Sequence, residues 1–193
     1  MSRQLGRRAA ALEQPASLRT RSAAFALDYV LIAAYLGLLV AVGLVVRLAA
    51  PDISSAMFGG PISGELTGFL LLTLPVTLYF AVSEHSAAEG TWGKRRLGLR
   101  VVTAAGGRLG LGRSLLRSGL KFAPWELAHA AIWQFTFAGP RAPAALDVVL
   151  GVVWLLVGLN FLSALVDRRH RALYDLLAGT AVLQVRPPHA ERR

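Results

Sequence analysis

A chain of 193 residues in which 54% are hydrophobic and only 17% charged is too apolar for an ordinary water-soluble domain and reads as an integral membrane protein. Its formal charge of +10 would suit nucleic acid, but its long uncharged runs cannot stay in water, so anionic lipids of a bilayer are the expected partner and nucleic acid is not. Cysteine is absent, which excludes a disulfide framework, a thiolate nucleophile and a cysteine-ligated metal.

Residues 1–18 form a basic tail that Pro15 separates from the membrane part. The apolar run that follows, 23–46, is too long for the core of a secretory signal, so it is expected to stay as a first membrane helix. One acid interrupts it: Asp28, seven residues after Arg21. Seven residues are about 10 Å of helix and nearly two turns, so the two side chains share a face. A carboxylate this shallow serves either as a cation or proton site, or as the partner of an arginine that anchors the helix to a basic loop. The second span is 66–83. Within it Pro75 removes the helix bond to the Leu71 carbonyl, and Thr73 and Thr77 stand ready to re-satisfy the backbone. Gly60, Gly64 and Gly68 recur every four residues, a small-residue face for close packing.

The loop after it is densely basic. "LGLRVVT", the turn signal "AAGG" and "RLGL" predict a small β-hairpin. From Ser114 the pattern turns helical, with Arg113, Arg117 and Lys121 spaced by four, and predicts an interfacial helix with those three cations on lipid headgroups. The third span, 122–139, carries Glu126, His129 and Gln134. Its Glu-x-x-His spacing occurs in di-metal bundles, but the second such motif is missing, so a protonatable, bundle-facing pair is expected and no metal. The fourth span, 146–166, contains Asn160. "DRRHRALYDLLAGTAVLQV" then predicts a short helix with Leu173, Leu176 and Leu177 on one face, Asp175 paired with an arginine of its own helix, and a strand at "TAVLQV". Residues 186–193 are a tail.

With four crossings, nineteen of the 21 Lys and Arg residues fall on one side. The positive-inside rule therefore predicts a multi-pass protein of the inner membrane with both termini cytoplasmic. The fold expected is an all-α four-helix membrane bundle with a small cytoplasmic β element and a basic interfacial helix.

Three stretches carry a resemblance: the Arg and Asp of the first span, "GTWGKRRLGLRVVTAAGGRLGLGRSLLR" after the second, and "DRRHRALYDLLAGTAVL" near the end. Over residues 19–185 they resemble the RDD family of small prokaryotic membrane proteins. The resemblance makes Arg21 and Asp28 the family's arginine and first aspartate, and Asp175 or the nearby Asp167 the second. The histidine usual before that aspartate is here Tyr174, so any relay through that imidazole would be missing. It implies a transporter, with cation/proton antiport proposed for some members, or a membrane adaptor.

No enzyme or cofactor is expected. "GTWGKRR" has only two residues between its glycines and Arg95 where a phosphate loop needs Ser or Thr. Two readings stand: a transporter of a small cation or proton using Asp28 with Asn160 and His129, or a membrane-anchored scaffold that recruits a protein or anionic lipid through its basic segments. Four helices are few for alternating access, so transport implies a homo-oligomer.

Overall fold

The computed structural model describes residues 13–141 and 143–185, so most of the expected N-terminal tail and the whole of 186–193 lie outside the described residues. Strand β1 (Glu13–Pro15) leads into α1 (Leu18–Ala49), and α2 (Pro51–Phe58) and α3 (Pro61–His85) follow. The short α4 (Trp92–Arg96), β2 (Leu99–Thr103), α5 (Leu111–Ala138), α6 (Ala145–Val166), α7 (Leu173–Leu177) and β3 (Thr180–Val185) complete the chain.

Among the described residues three helices, α1, α3 and α6, are long and apolar enough to cross a membrane. α1 outruns its apolar stretch at both ends. The Ser17 hydroxyl caps it by accepting the Thr20 N–H at 3.2 Å, and its arginines are good helix formers. The expected third span is the second half of α5, whose polar residues keep it out of that set, and the expected surface helix is its first half. They are one 28-residue helix with Pro124 inside it. Val40, Leu48, Trp154 and Val166 are among many large apolar side chains left exposed on α1 and α6, a surface that lipid covers at no cost.

The sheet lies at one end of the bundle. Its order is β1-β3-β2, antiparallel throughout, with Pro15 and Arg100 on either side of Leu183. The expected hairpin closes its turn but adds only an isolated bridge from Val102 to Arg108; the full partner of β2 is β3. Ala16, Ala24, Leu99, Val101, Leu109 and Val182 make a small core where the sheet meets α1.

Two local features shape the bundle. Phe69–Thr73 winds as a π-helical turn just before Pro75, and the Leu71 carbonyl accepts the Tyr35 hydroxyl of α1 at 2.5 Å; the Thr73 hydroxyl, expected there, has no partner. Gly64 faces Trp133 so closely that a Cβ would stand 2.6 Å from the indole ring. The small-residue face thus brings α3 onto α5 within the chain.

Candidate functional site

Asp28 is fully buried, and its partner is not Arg21. Its carboxylate accepts the Thr91 hydroxyl at 2.5 Å, the Gly93 N–H at 2.7 Å and the Tyr79 hydroxyl at 3.0 Å. Thr91 is also the N-cap of α4, so the acid of the first membrane helix holds the first turn of the basic loop's helix. Only glycine fits at 93, because a Cβ would collide with the Ala24 carbonyl oxygen and approach the Asp28 carboxyl carbon to 3.0 Å. Of the two readings of Asp28, the arginine-paired anchor does not find its partner in Arg21; hydroxyl and backbone donors tie the helix to the basic loop instead. These three donors hold the carboxylate in place at the edge of the cavity that Asp28 lines.

Arg21 reaches Asp175 instead, at 2.5 Å, and also donates to the His170 carbonyl. Asp175 is in turn bonded by Arg117, Nε at 2.9 Å and Nη2 at 2.8 Å, and Arg117 donates to Glu84 at 2.5 Å. Glu84 completes the chain by pairing with Lys94 of α4. Arg117, Glu84 and Asp175 are buried almost completely, so this alternating series locks α1, α3, α4, α5 and α7 together at the sheet end. Burial by itself pushes the Asp175 carboxyl up, but Arg117 and Arg21 more than offset it and hold it at about 2.

These contacts correct several expectations. Asp175 is paired with other helices rather than with its own; Arg171 pairs with Asp167 at 2.8 Å in the turn before α7. Asp167 also accepts the Arg169 and Arg171 N–H groups, so it shapes that turn and stands outside the buried series. Arg117 cannot meet headgroups because it is buried between two carboxylates, and Lys121 turns inward; only Arg113 of that triplet is exposed. Asn160 accepts the Tyr174 N–H at 3.2 Å and donates to Leu156, joining α6 to α7.

A different group of expected residues lacks partners. The Glu126 Oε2, His129 Nδ1 and Thr73 Oγ1 atoms are buried without a hydrogen bond. Thr73 and Glu126 line a crevice of about 390 Å³ between α3 and α5, together with Glu65 and Thr77. His129 lies one turn beyond, its ring 5.0 Å from that of Trp125. Each orphaned polar atom costs on the order of 1–3 kcal/mol, which calls for a ligand or a function.

A larger cavity of about 640 Å³ lies between α1, α3, α5 and α6. Arg21, Asp28, Lys94, Arg117 and Lys121 line one end, and apolar side chains line the rest. Thr73 and Phe122 border both spaces.

Glu84, Lys94, Thr91, Tyr79 and Gly93 were not singled out from the sequence. A signal existed for the first two: Glu84 closes an apolar run and Lys94 sits inside the "GTWGKRR" motif, where an opposite charge is a natural partner. A model of the RDD family matches residues 15–179 of the chain. Neither a curated protein nor a solved structure matches it.

Proposed function

Because the chain belongs to the RDD family, we propose that it carries a proton or small cation across the membrane through the crevice between α3 and α5, with Glu126 as the exchanging carboxylate and Thr73 and Glu65 beside it. The supporting observation is the set of unpartnered buried atoms in that crevice. Thr73 lies about 18 Å along α3 from its sheet-end terminus and Glu126 about 22 Å along α5 from its start, depths that fall well inside a hydrocarbon core of roughly 30 Å. A π-helical turn beside an ion site fits the same reading, since such turns free backbone groups where function needs them.

In this reading α5 is the fourth crossing, so that the sheet end faces the cytoplasm at the inner membrane, and exposed faces of α1 and α6 meet lipid or a second copy in a homo-oligomer. The scaffold reading draws on other residues: Arg95, Arg96, Arg108 and Arg113 are exposed at the sheet end and would attract a protein partner or anionic headgroups.

The test is labelling by dicyclohexylcarbodiimide, an apolar reagent that modifies protonated carboxyls. Glu126 should be modified in the purified protein, and sodium or raised pH should protect it. No label at Glu126, or label indifferent to both, would contradict the proposal.

A further inference from the structure

We propose that the large cavity is a binding site for one anionic phospholipid of the surrounding bilayer, its phosphate held by Lys121 and an acyl chain lying along the apolar wall. The site goes beyond the ion route, which runs on the other side of Thr73 and Phe122.

Lys121 carries the argument. Among the described residues its ammonium makes no hydrogen bond and no ion pair; it stands 3.5 Å from the Phe80 ring centroid, 4.8 Å from Phe25 and 5.1 Å from Phe122. Aromatic faces attract a cation but accept none of its three strong donors fully. The carboxylates nearby are already engaged: Asp175 by Arg21 and Arg117, Glu84 by Arg117 and Lys94, and Asp28 by its three donors. Arg21, Lys94, Arg117 and Lys121 line the cavity beside Asp28, and with Glu84 and Asp175 paired to them the basic groups outnumber the acidic by one. That surplus selects an anion.

The remainder of the wall selects a lipid. Ile32, Leu36, Val76, Val153, Val157 and Phe161 continue the cavity away from the charges. Its volume of about 640 Å³ falls within the roughly 300–1,000 Å³ usual for ligand sites. Phe25, Val157 and Phe161 are exposed at its rim, so it opens on the side where α1 and α6 would meet hydrocarbon. A free inorganic anion would fill only the cationic end.

The experiment is native mass spectrometry of the delipidated full-length protein with equal amounts of dioleoyl phosphatidylglycerol and dioleoyl phosphatidylcholine. One phosphatidylglycerol should bind with a preference of about tenfold, since both lipids offer a phosphate but the quaternary ammonium of phosphatidylcholine would stand among Arg21, Lys94, Arg117 and Lys121. Lys121→Gln should bring the preference close to parity. Val157→Trp, which fills the apolar part and leaves every charge in place, should expel the lipid, and Arg47→Gln, exposed near the far end of α1, should change nothing. Equal binding of the two lipids to the unaltered protein, loss of preference in Arg47→Gln, an undiminished preference in Lys121→Gln, full binding in Val157→Trp, or displacement by inorganic phosphate would each overturn the proposal.

Discussion

The Gly93 N–H donates to the Asp28 carboxylate at 2.7 Å, and this bond fixes the basic loop to the first membrane helix where the sequence alone points to Arg21. Asp28→Asn would keep one acceptor oxygen but turn an amide donor toward the Thr91 hydroxyl, the Gly93 N–H or the Tyr79 hydroxyl. Losing charge-assisted bonds worth roughly 1.5–3 kcal/mol each should lower stability by about 2–4 kcal/mol. Thermal unfolding in detergent measures it, and the double variant Asp28→Asn/Arg21→Gln should show no rescue, because the two residues do not pair. Gly93→Ala should cost about 3 kcal/mol through collision with the Ala24 backbone.

Arg117 holds two carboxylates that have no access to water. Arg117→Met should therefore cost on the order of 3–5 kcal/mol, the range for stripping a buried ion pair of one partner. Arg171→Met, which removes a partly exposed pair in a turn, should barely move the same unfolding curve.

Asp175 gives the protein an acid limb. A carboxyl lowered from 3.8 to about 2 in the folded state contributes stability that is complete above its unfolded value and is lost as pH falls through the folded one. Up to about 2 kcal/mol should disappear between roughly pH 5 and pH 2. Asp175→Asn should make that limb shallower in unfolding curves taken across this range, while starting from a lower plateau because Arg21 and Arg117 lose their partner.

Tyr35→Phe leaves the Leu71 carbonyl without the hydroxyl it accepts. A loss of about 1–3 kcal/mol is expected. Gly64→Leu should be worse, since its side chain would have to displace the Trp133 ring, and quenching of tryptophan fluorescence at the altered site would report the movement.

What the sequence discloses and what it hides divide along one physical line. Apolar runs are one-dimensional, so α1, α3 and α6 can be read directly, and so can β3, whose alternation needs no knowledge of its partner. Glu84 meets Arg117 across 33 positions, Arg117 meets Asp175 across 58, and Arg21 meets Asp175 across 154. No local periodicity encodes such pairs. The same blindness splits α5 in two: a change from a basic face to an apolar stretch that carries a few polar residues looks like a boundary, while the backbone runs through it. Arg113, Arg117 and Lys121 share a spacing that suggests one common surface, yet Glu84 and Asp175, supplied by α3 and α7, draw Arg117 inside. Glu126 and His129, by contrast, were visible as polar residues in an apolar segment, and the structure leaves atoms of both without partners.

Flux through liposomes containing only this protein tests the central claim most directly. With sodium imposed on one side and a pH-sensitive dye trapped inside, the unaltered protein should move protons in response to the gradient. Glu126→Gln should abolish that movement while unfolding at the same temperature or higher, because it takes the charge from a carboxyl whose Oε2 is buried without a partner. Asp28→Asn should retain flux in proportion to the protein that remains folded. Gradient-driven proton movement at the unaltered rate in Glu126→Gln, or none at all in the unaltered protein, would contradict the account.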